Sequence, residues 1–168
     1  MAAPPFIIRK ARKRDAPQIL QCHREAIKAK ASSFYDPKII EAWGGAISGG
    51  QVEKVEQEIS EPRWIYVVAD HPEEGIIGIG IAVPDKNELR AVYVKPNPHG
   101  KVGTQILAAL LEQARAMGCS HLDADSSINA EKFYVANGFR ILSRGMHRMS
   151  AGGEMACVKM RIDLFKKK

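Results

Sequence analysis

Apolar positions recur along this chain with two periods, one near two residues and one near three and a half. Phe6, Ile7 and Ile8 form a short apolar run that predicts a strand over residues 6–10. From residue 16 the spacing lengthens, and Ile19, Leu20, Ala26 and Ile27 fall on one helical face. Asp15 precedes that stretch and Pro17 stands in its first turn, a helix-start pattern with Asp15 as N-cap. Ser32-Ser33 breaks it. Asp36-Pro37 then begins a short helix over 38–43, stopped by Gly44-Gly45, and a more polar helix over 52–59 ends before Pro62. The β-branched and aromatic run 64–69 and the apolar run 75–83 predict two strands joined by a hairpin-type connection. A strand over 88–94 follows. Residues 102–117 return to the helical period, with Ile106, Leu107, Leu110, Leu111 and Ala114 on one face and Gly118 as terminator. Residues 121–125 alternate as a strand. A short helix over 129–136 closes at Asn137-Gly138, and 139–147 with 155–164 make an antiparallel pair.

That order predicts an α/β (α+β) fold: a central mixed, mostly antiparallel sheet of about seven strands, flanked by about four helices, with one βαβ crossover. No linker is long enough to divide the chain. Residues 1–168 therefore read as a single domain with flexible ends at 1–5 and 166–168. At 168 residues, 45 % apolar and 26 % charged, the chain can build a core and is not of disordered composition. It has no apolar run of about 18 residues and no secretory h-region, so no membrane span is expected and the cytoplasm is the expected location. Cys22, Cys119 and Cys157 lie far apart without CxxC spacing, which implies free thiols in a reducing compartment and no zinc. The net charge is +6, and Lys166, Lys167 and Lys168 supply half of it. Without a basic stripe interleaved with aromatics, the remainder suits a phosphate-bearing small molecule better than nucleic acid.

Two segments carry candidate chemistry. The strand over 88–94 runs into Lys95-Pro96-Asn97-Pro98-His99-Gly100-Lys101, and Val102-Gly103-Thr104-Gln105-Ile106-Leu107 opens the next helix. A helix N-terminus leaves amides unpaired and carries partial positive charge, and glycine lets an anion approach the backbone. Taken alone, this is also how an ordinary strand-to-helix turn reads. The second segment is Ala130, then Phe133-Tyr134-Val135-Ala136-Asn137-Gly138-Phe139. Together the two segments resemble the GNAT family of acetyl-CoA-dependent N-acetyltransferases. Residues 5–43, with Asp36-Pro37 and Glu41-Ala42-Trp43, look most like uncharacterised bacterial members.

The resemblance implies acetyl-CoA as cosubstrate and no metal. It implies backbone contacts from Val92, Tyr93 and Val94 to the pantetheine, in a splay between the strands at 88–94 and 121–125. It implies a pyrophosphate site at His99, Gly100, Lys101, Val102, Gly103 and Thr104. This loop is one residue shorter than the family pattern, lacks the first motif glycine, and has His99 where Gln or Arg is usual. Ser127 and Asn129 fall where the family presents polar groups to CoA, although helix capping explains them equally well. Phe133 lines the cosubstrate or the core, and Tyr134 corresponds to the general acid that protonates the leaving thiolate. For the general base, Glu88 is the first candidate and Asp125 the second. Either also reads as a strand-end surface charge. Phe34, Tyr35 and Trp43 are candidates for the acceptor pocket, with core packing as the plainer account. The implied reaction is acetyl transfer to a primary amine, on a small molecule or a peptide, by direct attack in a ternary complex. Alternatives are a non-catalytic CoA-binding module with a degenerate loop, or a toxin-type transferase acting on aminoacyl-tRNA. Pairing of C-terminal strands into a homodimer is a further possibility that the resemblance raises.

Overall fold

A computed structural model of the chain describes residues 5–97 and 99–165. The expected flexible ends, Pro5 apart, and Pro98 of the loop lie outside the described residues. Among the described residues, seven strands form one sheet: β1 (Ile7–Lys10), β2 (Ile65–His71), β3 (Gly75–Val83), β4 (Glu88–Val94), β5 (His121–Ser127), β6 (Arg140–Arg148) and β7 (Glu154–Asp163). Their order is β1-β2-β3-β4-β5-β7-β6. The β4–β5 pair is parallel and every other neighbouring pair antiparallel, so the fold is the mixed α/β class that the pattern predicts. Five α-helices, counted among the described residues, accompany it: α1 (Ala16–Lys30), α2 (Pro37–Gly44), α3 (Gly49–Ser60), α4 (Val102–Ala116) and α5 (Glu131–Ala136). Among the described residues, no helix is long and apolar enough to cross a membrane.

The sheet separates two apolar layers. Ile106, Leu107, Leu110 and Ala114 of α4 bury against Val67, Ile77, Leu122 and Met160. On the other face Ile19 and Cys22 of α1 pack with Val68 and Ile79, and Ile40 of α2 packs with Ile27 and Tyr35. Two glycines let α4 lie close to β3. A Cβ at Gly78 would stand 2.6 Å from Ile106 Cδ1, and one at Gly80 only 2.5 Å from Ile106 Cγ2. The position of α4, and hence of its N-terminus, depends on those two missing side chains.

At α1, α2 and α3 the helix starts are where the pattern and the structure part. Asp15 is not a side-chain cap of α1. Its carboxylate accepts from Arg9 at 2.8 and 2.9 Å and from the Arg12 amide at 2.7 Å, across a 3-10 turn at Lys13–Asp15. The Asp36 side chain likewise makes no cap bond. Helix α3 begins three residues before the periodicity indicates, because Ser48 and Gln51 form a reciprocal capping box (3.2 and 2.9 Å). Strand β5 extends past residue 125 to Ser127, since β7 pairs with it as far as Cys157.

Candidate active site

The site begins with a pairing that stops early. β4 and β5 are in register only at Glu88–Asp123 and Leu89–Ala124. Beyond Leu89, β4 stays bonded to β3 up to Val94, while β5 stays bonded to β7 up to Ser127. The two strands therefore diverge, and the β5-facing backbone of Val92, Tyr93 and Val94 has no strand partner. Both segments singled out in the sequence border this opening: the loop and α4 continue β4, and α5 continues β5.

Two clefts meet there. One, of about 750 Å³, runs from Val92, Tyr93 and Val94 to the start of α4 and includes Ser127, Asn129 and Phe133. Lys30, Lys95, His99 and Lys101 line it, and among the described residues no carboxylate does. Gly103 and Thr104 also line it. The first backbone amide to bond back into α4 is that of Gln105, to Lys101 at 3.0 Å, so the amides of Val102, Gly103 and Thr104 form the open N-terminus, with no side-chain cap. A Cβ on Gly103 would stand 3.3 Å from the Phe133 ring. Gly100 has open space around it, and the left-handed backbone falls on Lys101 instead (φ 65°).

His99 is tied from behind. Its Nε2 lies 2.7 Å from Glu74, its ring stacks on His71, and its amide donates to Asn97. His71, Glu74 and His99 are within the spacing of metal ligands. However, Nδ1 of His71 accepts two backbone amides, from Glu73 and Glu74. The proton of the neutral ring is then on Nε2, which leaves His71 no lone pair there for a metal. The three side chains brace the loop to the β2–β3 hairpin.

Asn129 supplies a test of fit for a ligand carrying amide N–H groups. Its Oδ1 is buried and has no hydrogen-bond partner among the described residues, and Asn129 lines the basic cleft. A buried acceptor without a partner costs about 1–3 kcal/mol. A ligand N–H arriving between β4 and α5 would remove that cost. A diphosphate suits the α4 amides and the lysines equally well.

The second cleft, of about 320 Å³, opens on the other side of the same junction and shares Trp43, Val92, Tyr93, Ser127 and Ala130 with the first. Glu88, Asp123, Asp125, Tyr134 and His147 line it. Tyr134 is 6 % exposed, and its ring packs against Phe133 and Phe139. Burial, and then the neighbouring Tyr93, push its pKa upward, so the phenol keeps its proton at neutral pH. Tyr93 is pushed up to about 12 by burial, and its hydroxyl accepts from Trp43 Nε1 at 3.0 Å.

The carboxylates of this cleft are already engaged. Glu88 lies 3.0 Å from Arg90 and belongs to the closed vertex of the β4–β5 opening. Asp123 holds Arg161 through two bonds of 2.6 and 2.9 Å. Asp125 accepts from His147 Nδ1 and Lys159 Nζ, both at 2.9 Å. Burial opposes ionisation of Asp125, but those two bonds outweigh it and hold the carboxyl below its usual range. Cys157 also lines the cleft, with its thiol raised by burial and therefore protonated.

The three aromatics expected at an acceptor pocket separate. Trp43 lines both clefts. Tyr35 is buried, donating to the Ala156 carbonyl at 2.6 Å and accepting from the Ile128 amide at 2.8 Å, so it ties the 3-10 turn that precedes α5 to β7. Phe34 is 51 % exposed and lines neither cleft. Sequence reasoning missed His147, Lys159 and Arg161. For the last two a signal existed: Asp123-Ala124-Asp125 complements Lys159-Met160-Arg161 in an antiparallel register.

Comparison with known proteins agrees with this geometry. The family model described as acetyltransferase (GNAT) domain matches residues 26–164. The chain therefore belongs to the GNAT acetyltransferase family. No curated protein matches it significantly. Among solved structures it is similar to a GCN5-related N-acetyltransferase from Rhodopseudomonas palustris (21 % identity, TM-score 0.81, 97 % of this chain and 98 % of that one). It is also similar to a PaiA N-acetyltransferase from Thermoplasma acidophilum in complex with coenzyme A (22 %, 0.73, 97 % and 99 %). A third is a phosphinothricin acetyltransferase from Sinorhizobium meliloti in complex with AcCoA (17 %, 0.71, 95 % and 88 %). At these identities the similarity speaks for the fold.

Proposed function

We propose that this chain transfers an acetyl group from acetyl-CoA to a primary amine by direct attack, with both substrates held in the opening between β4 and β5. The observation that carries the reading is the meeting of two clefts, one basic and one with its charges paired, across Val92, Tyr93, Ser127 and Ala130. The basic one suits a diphosphate with an amide-bearing arm. The other suits the nucleophile. In this reading the unpaired edge of β4 and the orphaned Asn129 oxygen take the arm. The Val102–Thr104 amides, with Lys101 and Lys95, take the diphosphate. Tyr134, kept protonated by burial, gives its proton to the departing sulfur. Solved relatives in complex with coenzyme A and AcCoA support the choice of cosubstrate.

Calorimetric titration with acetyl-CoA, run beside CoA, tests the reading. One-to-one binding in the micromolar range is the expected result. No binding up to millimolar concentration would leave the fold without this chemistry. The shortened loop, with Lys101 in the left-handed region, is the feature that favours the alternative of a non-catalytic CoA-binding module. Tight binding without thiol release in the presence of any amine would select that alternative.

A further inference from the structure

We infer that His147 is the general base that accepts the proton of the incoming amine, and that Asp125 is the residue that positions it. The inference rests on the acetyl-transfer reading above and supplies the proton acceptor which that reading leaves unnamed. An ionised carboxylate only accepts hydrogen bonds, so the 2.9 Å contact between Asp125 Oδ2 and His147 Nδ1 fixes Nδ1 as the donor. Nε2 of the neutral ring then carries a bare lone pair. His147 lines the same cleft as Tyr134 and its side chain is 45 % exposed, so the lone pair is accessible to a ligand there.

The neighbouring acids suit the task less well. Asp125 is held in its ionised form by two donors and is a weak base. Asp123 has both oxygens on Arg161. Glu88 is paired with Arg90 at the vertex, where β4 and β5 are still joined. A neutral imidazole with one bare ring nitrogen can accept a proton from an incoming ammonium, which none of these engaged carboxylates is free to do. The opposite tautomer at His71, where Nδ1 accepts and Nε2 donates, shows what a purely bracing imidazole looks like in this chain.

In balanced form, Nε2 takes one proton from the acceptor ammonium and becomes imidazolium beside Asp125. The freed nitrogen lone pair forms the N–C bond at the acetyl carbonyl. Collapse breaks the C–S bond, the sulfur leaves with the electron pair, and Tyr134 delivers its proton to it. The nitrogen loses its second proton, which returns through solvent to the Tyr134 phenolate, and imidazolium releases its proton to solvent. The products are an amide, a thiol and one proton.

The titratable and charged groups that line the cleft with His147 are Asp123 and Asp125 from β5, Cys157 from β7, Glu88 and Arg90 from β4, Lys86 from the turn before β4, and Tyr134 from α5, and Lys159 of β7 shares the Asp125 carboxylate with it. A pH profile must therefore be read with variants. Thiol release from acetyl-CoA would be followed with spermidine, L-lysine and a dipeptide with a free N-terminus. In His147→Gln we expect kcat to fall about a hundredfold. Acetyl-CoA affinity should stay within about twofold, and the acidic limb of kcat/KM should disappear. In Asp125→Asn we expect a fall of about tenfold, with the acidic limb displaced to lower pH because imidazolium loses its counter-charge. A His147→Gln enzyme that keeps its rate and its acidic limb overturns the inference while the transferase reading stands. If wild type turns over none of the amines, the transferase reading fails instead. The tautomer remains decisive for His147 in that case. Long-range 1H–15N spectra should show neutral His147 protonated on Nδ1 in wild type, and an Nε2–H tautomer there overturns the assignment.

Discussion

The mouth of the opening at α4 and the mouth at β6 share lining residues yet treat charge in opposite ways. At α4, Lys30 and Lys101 line the cleft with open helix amides and, among the described residues, no carboxylate, and Lys95 has Glu25 at 4.0 Å. At β6, Glu88, Asp123 and Asp125 each already hold a cation. The first mouth is electrostatically incomplete and gains on binding an anion. The second is neutralised from within, so its selectivity comes from the placement of donors and acceptors more than from net charge. Cosubstrate affinity should therefore fall with added salt, while acceptor KM should respond weakly.

The largest effect should come from the junction between the mouths. Tyr134→Phe removes the proton donor and keeps the ring that packs on Phe133 and Phe139. Turnover should fall by about 10²–10³, with acetyl-CoA affinity within about twofold, in steady-state kinetics beside calorimetry. Unchanged turnover removes Tyr134 from the reaction. Next in size is Gly103→Val, which affects the α4 mouth alone. Its Cβ would crowd Phe133 at 3.3 Å and stand in ordinary contact with Val94 at 3.5 Å, and the two added methyls would project on the surface that faces the ligand. The acetyl-CoA Kd should rise about thirtyfold, or about 2 kcal/mol, while kcat at saturation holds. A fall in kcat with an unchanged Kd would mean that the two mouths are not separable.

Lys101→Gly sharpens the same contrast with a smaller effect. Lys101 occupies the left-handed region that glycine adopts without a Cβ clash. The substitution should raise stability by about 0.5–1 kcal/mol in urea unfolding and weaken acetyl-CoA about fivefold, with a shallower salt dependence. A variant that gained stability and lost no affinity would show that the charge at this position does not serve the ligand.

How much of this was legible in the sequence depends on whether an interaction is local. The bounds of β3, β4 and the start of α4 follow from apolar runs closed by turn residues, and the sequence places them at the observed positions. Asp15 reads as a cap because the chain alone cannot show that Arg9 takes both its oxygens. Phe34 and Tyr35 are adjacent and of similar character, yet one is exposed and the other buried, since only the fold decides which ring turns toward Ala156. His147 was hidden for a stronger reason. Its bond to Asp125 crosses the intervening strand β7, and the register of β6 shifts at an irregularity between Ile141 and Ser143. No periodicity reports such a contact.

The smallest effect concerns acid stability, and it separates the mouths without any ligand. Asp125 has its folded pKa depressed: burial opposes ionisation, and the bonds from His147 and Lys159 outweigh it. A depressed carboxylate contributes stability above its unfolded pKa, near 3.9, and loses it as pH falls through the folded value. Wild type should therefore lose stability below about pH 4. In Asp125→Asn the carboxylate's share is absent at every pH. Because the Asp125 side chain is 32 % exposed, solvent screening limits its share to about 0.5–1 kcal/mol. Urea midpoints measured from pH 7 to pH 3 should show wild type above the variant at neutral pH and the two curves converging in acid. Parallel curves would mean that the carboxylate is no better solvated in the folded chain than in the unfolded one, and the β6 mouth could not then be called neutralised from within. A cation-removing variant at the α4 mouth, Lys95→Ala, should leave the acid limb of the same curve in place, since Asp125 keeps both its partners.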